Sequence, residues 1–294
     1  MTTTNNVAPP AGTLSLAQAL SNLHDGDTVQ FDIPGIGPFY LVTPLTGYPL
    51  ITNHHVTIDG FSQPGALPNT NPILAPNNAR LQIVLDSRAG GHTPMNVPLL
   101  DPNDDPGYDP TGESALLGVV AGTNFTARGL CFLGPGPNAG DAVTETNLYF
   151  VAFARGASGG HISGCWMGVA PDATTLAGSC DGVAGFAYGQ KDASGTTTNV
   201  LLIDDAVIGV APRSTNAVAE FNVIVEATIP VILEGNRTRI AGNFLCVLPD
   251  GMHDDDVAFK TNVYAVDYQF QGAIQIGLGG NNTVIGTDGD AVND

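Results

Sequence analysis

A short apolar pattern that recurs along the chain constrains the fold more than any other feature of the sequence. Its copies start 34, 41 and 37 residues apart, and they are Cys131-Phe132-Leu133-Gly134, Cys165-Trp166-Met167-Gly168, Ala206-Val207-Ile208-Gly209 and Asn243-Phe244-Leu245-Cys246. A related segment, Val284-Ile285-Gly286, lies 40 residues beyond Cys246. Repetition near this period indicates either a solenoid or a propeller.

The distribution of turn residues decides between these two architectures. A propeller blade needs four antiparallel strands per period, whereas each period here offers two or three short strands divided by Gly, Asn and Asp. A β-solenoid fits better, because its coils bury their apolar faces by stacking like residues about 4.8 Å apart. One period would then hold one coil with long loops, or nearly two compact coils.

Composition supports an all-β chain and narrows the choice of partners. Charged residues make up 13% of the 294 residues, while glycine (37) and proline (21) are frequent. The formal net charge of -19 repels nucleic-acid phosphates and anionic lipid surfaces, so we expect no nucleic-acid partner. No apolar run reaches the roughly 18 residues that a membrane helix needs, so we expect no membrane insertion.

The N-terminal segment predicts an arm followed by a helix. Residues 1–12 are polar and contain Pro and Gly, which favours a flexible arm. Apolar residues at helical spacing then predict a capping helix over about 14–23, with Ser15 or Thr13 as its N-cap. No linker-like composition follows, so residues 13–294 are expected to form one domain. Short strands are predicted at 28–33, 39–43, 56–59, 81–85 and 115–120.

Several of these segments resemble a known family. Ser15 to Leu20 and Gly26 to Gly35 look like the capped start of large secreted or surface bacterial proteins of the right-handed parallel β-helix type. Val56 to Gly65 and Asn281 to Asp290 are similar to the repeats of that family. The resemblance implies an all-β, right-handed parallel β-helix (solenoid) with a short N-terminal capping helix. It also implies an extracellular or cell-surface location, although the chain carries no signal-peptide pattern.

The adjacent carboxylates Asp204 and Asp205 are weak candidates for catalysis. A glycosidase needs two carboxylates roughly 5 to 9.5 Å apart, and a polysaccharide lyase needs a base and often a bound cation. The pattern predicts a repeat strand at this point, in which successive side chains point to opposite faces and do not easily share one substrate. One of them could pair with a carboxylate of an adjacent coil, or both could have a solvated or turn-capping role. No catalytic residue is assigned.

The last residues of the sequence offer oxygen ligands for a cation. Asp288, Asp290, Asn293 and Asp294 are closely spaced, as ligands of hard Ca²⁺ are, but the later bidentate Glu of an EF-hand is missing. A turn rich in Asp, Asn and Gly explains the same pattern, and the acidic loop at 101–110 allows the same two interpretations. The histidines show no metal-ligand spacing. Calcium is therefore a hypothesis, and no other cofactor is indicated.

Cysteines and aromatic residues at equivalent repeat positions predict stacking. Cys131 and Cys165 align, so their thiols are expected to stack, with a disulfide as the alternative if the coils are adjacent. Trp166, Phe132 and Phe244 also align, which favours an aromatic ladder inside the solenoid over an exposed sugar-binding strip.

Two functional classes remain open. The first is a non-catalytic structural module that serves as scaffold or adhesion surface, and that forms a homo-oligomer or filament through an uncapped C-terminal coil, because unpaired strand edges are templates for association. The second is a polysaccharide-active enzyme, a lyase or a hydrolase, or a module that only binds glycan. The first class is favoured, because no repeat carries a convergent set of acid, base and cation ligands.

Overall fold

The protein is built almost entirely of β-strands. The structure, a computed structural model, describes residues 1–6, 9–73, 75–89, 93–94, 114–134, 148–177, 180–191, 194, 196–227, 229–253 and 273–286. Most strands within these ranges pair in parallel and belong to three long sheets. The predicted all-β parallel solenoid with one short helix is confirmed. Its right-handed sense stays an expectation, in line with the strong preference of parallel crossover connections.

The described residues contain one α-helix, two short 3-10 turns and 21 strands. The helix α1 spans Leu16–Ser21, and the 3-10 turns span Gly60–Ser62 and Ala217–Glu220. In chain order, the strands β1 to β21 span Thr28–Gln30, Phe39–Val42, Thr57–Asp59, Ile83–Asp86, Thr93–Pro94, Ser114–Val120, Thr126–Arg128, Leu130–Leu133, Leu148–Ala154, His161–Ser163, Trp166–Met167, Asp181–Gly185, Tyr188–Lys191, Thr197–Leu201, Val207–Gly209, Asn222–Ile224, Val231–Leu233, Arg239–Ala241, Asn243–Leu245, Ile274–Ile276 and Val284–Ile285. The five predicted strands are confirmed as β1, β2, β3, β4 and β6.

Each turn of the chain visits the three sheets in the same order. Sheet A contains β1, β3, β7, β10, β15, β18 and β21, and sheet B contains β2, β4, β8, β11, β16 and β19. Sheet C contains β6, β9, β12, β17 and β20, with the short antiparallel β5 at its edge. One coil is therefore a strand in A, a strand in B and a strand in C, as in β7, β8 and β9. The antiparallel hairpin of β13 and β14 projects between β12 and β15.

A column of aliphatic side chains runs along the inner face of sheet A. In-register pairing stacks Val29, Ile58, Ala127, Ile162, Ile208, Ile240 and Ile285 on one another. These side chains share one register position on the inner face of the sheet, and the first six belong to the main apolar core. We call this set the aliphatic column. Because each coil covers the column residue of its neighbour, no coil buries its apolar face alone.

Helix α1 closes the first coil, as the sequence predicted. Ser15 Oγ accepts a hydrogen bond from the Gln18 N–H at 3.2 Å, and Gln18 Oε1 accepts one from the Ser15 N–H at 3.2 Å, which forms a capping box. Leu16 and Leu20 point into the core. The helix is confirmed with narrower bounds than the predicted 14–23.

Residues of the N-terminal arm bond to the first coil. The amino group of Met1 donates to the Gln30 carbonyl at 2.6 Å, and the Asp32 N–H donates to the Met1 carbonyl at 2.9 Å. The Asn6 side chain donates to the Val42 carbonyl at 3.0 Å. The flexible character of residues 1–12 and the single domain at 13–294 stay predictions.

The register of the repeats differs from the predicted alignment in two places. Val207 pairs with Arg239 in sheet A, whereas Phe244 lies in sheet B, so the copy at 206–209 was aligned with the wrong strand. Cys131 pairs with Trp166, which is one residue away from the predicted partner, Cys165. The connections between strands vary in length from coil to coil. A motif matched by residue type alone therefore falls on the wrong strand.

Shortening one member of the aliphatic column should lower stability strongly. Ile208 is fully buried between its neighbours in the column, so Ile208→Ala should reduce the free energy of unfolding by about 2–5 kcal/mol, since the cavity that it leaves cannot collapse in a stacked core. Denaturant unfolding measures this change. The matched control is Ile36→Ala, because Ile36 is 99% exposed. Equal effects of the two substitutions would contradict the stacked core.

Candidate functional site

The corner at which each coil enters sheet A is formed in the same way throughout the described chain. The residue two positions before each sheet A strand has a positive φ of 55° to 83°, and these residues are Gly26, His55, Asn124, Gly159, Asp205, Arg237 and Asn282. The N–H of each of the first six donates to a carbonyl of the next coil at 2.7 to 2.9 Å. We call this stack of residues the corner column. It continues the backbone pairing of sheet A around the bend.

Asp205 belongs to the corner column and Asp204 directly precedes it, and both carboxylates bond to the guanidinium of Arg237. Arg237 Nε donates to Asp205 Oδ1 at 2.7 Å, and Arg237 Nη2 donates to Asp205 Oδ2 at 2.8 Å and to Asp204 Oδ2 at 3.1 Å. The arginine belongs to the coil that follows the two carboxylates. These contacts therefore hold two coils together and compensate the positive φ of Arg237, a conformation that non-glycine residues rarely adopt.

Asparagines extend the same contacts to the last described coil. Asp204 Oδ1 accepts from the N–H and the side-chain amide of Asn236, at 2.9 and 3.2 Å. Asn236 Oδ1 in turn accepts from the N–H and the side-chain amide of Asn281, at 3.2 and 2.9 Å. These asparagines were not predicted from the sequence. Asp204, Asn236 and Asn281 each lie four residues before a member of the aliphatic column, Ile208, Ile240 and Ile285 respectively, and this constant spacing was the signal in the sequence.

The predicted placement of Asp204 and Asp205 in a strand was wrong. Both residues lie in a turn before β15, and Asp205 has a left-handed conformation with φ 61°. The turn brings the two side chains to the same arginine, whereas a strand would have separated them. The turn-capping role that the sequence left open for Asp204 agrees with its bonds to Asn236.

The electrostatics of Asp205 do not suit proton donation. The hydrogen bonds from the Arg237 guanidinium lower the pKa of Asp205 below its ordinary value. A general acid needs a pKa raised toward the working pH, which requires an apolar or negatively charged environment. Asp205 is therefore ionised at neutral pH and serves the corner as an anion.

The outer face of sheet A is polar. Asp59 and Arg128 occupy the same register position on adjacent strands, and Arg128 Nη2 donates to Asp59 Oδ2 at 2.8 Å. Asp59 is nearly buried, whereas Arg128 is half exposed. His161 lies on the next strand and donates from Nε2 to the Gly209 carbonyl at 2.9 Å. This face presents a flat array of hydrogen-bonding groups.

The outer face of sheet B is covered by loops instead. Trp166 and Phe244 point outward and are buried in a second apolar cluster under side chains such as Leu176 and Leu248. Phe132 points into the main core. The predicted internal ladder of these three aromatic residues was therefore wrong. A register shift of one residue places Phe132 on the opposite face.

Cys131 and Cys165 are thiols that lie on different faces of sheet B and its flanking turn. Cys131 points into the second apolar cluster and Cys165 into the main core, so the predicted stacking of these thiols was wrong. Burial raises the pKa of the Cys165 thiol to about 12, and it also raises the pKa values of Cys131 and Cys180. These thiols are protonated at neutral pH. Cys246 is only partly buried.

The hypothetical calcium ligands lie outside the described residues. These are Asp288, Asp290, Asn293 and Asp294, and the acidic stretches at 101–110 and 254–256 lie outside as well. Within the described ranges, no group of three or more His, Cys, Asp or Glu side chains is arranged to hold a metal ion. Calcium binding at 288–294 stays a prediction.

Comparisons with protein-family models, with curated proteins and with solved structures found no match to this chain. The fold is therefore defined by its own parallel pairing. Among the described residues, none of the helical segments has the length and hydropathy that crossing a membrane requires.

Removing the shared arginine should weaken the corner column in a pH-dependent way. Arg237→Gly fits the positive φ but loses the bonds to both carboxylates, so we expect a lower melting temperature at pH 7 than in the unaltered protein. Because the folded-state pKa of Asp205 lies below 3.8, the contribution is complete well above pH 3.8 and is lost as the pH falls through the folded-state value. Calorimetry from pH 3 to pH 8 measures the difference, which should shrink at the acid end.

The matched control for this substitution is Arg213→Gly. Arg213 also has a positive φ, 61°, but it lies in the loop before the second 3-10 turn. The described contacts give this side chain no ion pair, so its replacement should leave the melting temperature unchanged or slightly higher. A pH-independent loss in Arg237→Gly, equal to that in the control, would contradict the role of the ion pairs.

Thiol reactivity should follow burial. In the folded protein, a thiol-specific reagent should modify Cys246 first, while Cys131, Cys165 and Cys180 react only after unfolding, because a buried, protonated thiol is a poor nucleophile. Labelling with and without denaturant, followed by peptide mass spectrometry, identifies the modified residues. Fast labelling of Cys165 in the folded protein would show that the core is not closed.

Proposed function

We propose that this protein is a non-catalytic β-helix module that acts as a scaffold or an adhesion surface, outside the cell or at its surface. The observation that carries the proposal is the use of charged side chains as contacts between coils. Arg237 joins one coil to Asp204 and Asp205 of the preceding coil, and Arg128 does the same with Asp59. Carboxylates held in this way stabilise the stack, and the Arg237 guanidinium lowers the pKa of Asp205.

The repeated strand pairing of the fold also suits a scaffold. Three parallel sheets run along the described chain, and each internal strand pairs on both sides. Extending such a stack adds surface without changing its cross-section, as in other repeat architectures. The extracellular or cell-surface location rests on the resemblance of the sequence to secreted and surface β-helix proteins.

The outer face of sheet A favours a second candidate function, which is glycan binding. Thr28, Thr57 and Thr126 lie in register on successive strands, beside the row that contains Asp59 and Arg128. Hydroxyl, carboxylate and guanidinium groups at the regular strand spacing of about 4.8 Å offer repeated hydrogen bonds to sugar hydroxyls. Acidic glycans are disfavoured by the net charge of -19, so a neutral polysaccharide is the better ligand. A polysaccharide-active enzyme is the remaining alternative.

A panel of neutral and uronate polysaccharides tests both candidates. We expect no unsaturated ends and no reducing ends after prolonged incubation, because the Asp204 and Asp205 side chains are engaged by Arg237 and the pKa of Asp205 is lowered. Detection of either product, together with its loss in Asp204→Asn or Asp205→Asn, would overturn the non-catalytic proposal.

Retention without turnover would identify a binding module. In sedimentation with insoluble neutral polysaccharides, Arg128→Ala should reduce the retained fraction severalfold if sheet A is the binding face. The matched control is Arg213→Ala, which removes an arginine away from sheet A and should leave retention unchanged. Equal retention of all variants would exclude the outer face of sheet A.

A further inference from the structure

The two ends of the aliphatic column differ in the described structure. Val29, the first member, is 6% exposed, whereas Ile285, the last member, is 55% exposed. Both side chains occupy the same register position in sheet A. Their different exposure therefore depends on what covers each end of the stack. An inward-facing isoleucine that is more than half exposed is an incomplete apolar contact.

The first end is closed by other parts of the same chain. Leu16 and Leu20 of α1 are buried in the same core as Val29. The backbone of Met1 bonds to Gln30 and Asp32 at the free edge of β1, at 2.6 and 2.9 Å. A second copy therefore cannot add its last strand to this edge without displacing Met1 and the helix. Head-to-tail stacking is disfavoured for that reason.

The backbone of β21 is arranged to accept another strand. Val284 N–H donates to the Thr238 carbonyl and Gly286 N–H donates to the Ile240 carbonyl, both at 2.9 Å. In a parallel pair the residue between two such donors points its own N–H and C=O to the opposite edge. Ile285 therefore presents one donor and one acceptor outward, and no strand among the described residues pairs with them.

The outward N–H and C=O of Ile285 can bond to the same two groups of a second copy. In an antiparallel pair, two residues that face each other directly can exchange both N–H···O bonds. A two-fold axis beside Ile285 would pair this residue with Ile285 of a second copy, and it would also join the two aliphatic columns end to end. An isologous contact of this kind closes after two copies, whereas a head-to-tail contact would continue into a filament.

We propose that two copies of this chain associate tail to tail through β21, with Ile285 paired to Ile285 of the partner subunit across a two-fold axis. The proposal rests on the scaffold function and names its partner, a second copy. It leads to a discrete dimer whose two closed ends, each covered by α1, face away from each other.

Sedimentation equilibrium of the full chain tests the proposal. Between about 1 µM and about 1 mM, the protein should follow a monomer to dimer equilibrium without larger species. Ile285→Lys should weaken the dimer at least about tenfold, because it places two like charges in an apolar contact. The matched control, Ile36→Lys, changes an isoleucine that is 99% exposed at the first coil and should leave the equilibrium unchanged.

Two further variants separate a true effect from misfolding. Ile285→Pro removes the outward donor and leaves the bonds from Val284 and Gly286 to the preceding coil, so it should weaken the dimer while circular dichroism stays unchanged. Ile285→Cys should form an intermolecular disulfide with itself under mild oxidation, because facing residues of a hydrogen-bonded antiparallel pair have Cα atoms about 5.5 Å apart. Ile36→Cys is the control for random crosslinking.

Several outcomes would overturn the proposal. A monomer at every concentration would do so, and so would a dimer that Ile285→Lys and Ile285→Pro leave intact. Open-ended filaments would exclude the two-fold contact. A monomer without polysaccharide turnover would refute the dimer and leave the scaffold function standing, whereas polysaccharide turnover by a dimer would refute the scaffold function alone.

Discussion

Hydrogen bonding between the backbones of successive coils is the interaction on which the rest of this structure depends. Each internal strand of sheets A, B and C uses both of its edges, and the corner column carries the same pairing around the bend into sheet A. A buried backbone group without a partner costs free energy, so each internal coil depends on both of its neighbours. The side chains then need to satisfy only two conditions, which are an apolar inner face and corners that accept a positive φ.

Much of the fold was predictable from the sequence, because those two conditions leave visible patterns. Short alternating segments bounded by Gly, Pro, Asn and Asp gave β1 to β4 and β6 near their observed positions. The helix was predictable from Ser15 and from the apolar spacing after it. The repeat pattern related the segments that contain Ile208 and Ile285, which both lie in the aliphatic column, but it also included Phe244, which lies in sheet B.

The exact register was not predictable, for a physical reason. A one-residue slip reverses the face on which every side chain lies, so the misalignment of Cys131 also misplaced Phe132. Connections from sheet A to sheet B range from the single Gly129, with φ 66°, between β7 and β8 to the segment 60–82 between β3 and β4. Residue type alone cannot distinguish inner from outer positions where loops cover the outer face. Trp166 and Phe244 are apolar because sheet B supports a second core.

The burial of apolar residues on the outer faces of the sheets bears on which surfaces remain for contacts with other molecules. Loops bury the apolar outer residues of sheet B, and the outer face of sheet C carries another buried apolar cluster that includes Tyr149 and Phe186. The outer face of sheet A is polar over β1, β3, β7 and β10, where Thr28, Thr57, Thr126 and His161 lie in register and Arg128 neutralises Asp59. In the part of the chain that the structure describes, apolar side chains cover the outer faces of sheets B and C, whereas Thr28 and Arg128 on sheet A and Ile285 on β21 are exposed. The two proposed contacts, glycan on sheet A and a second copy at β21, therefore use the parts of the described solenoid that this apolar cover leaves exposed.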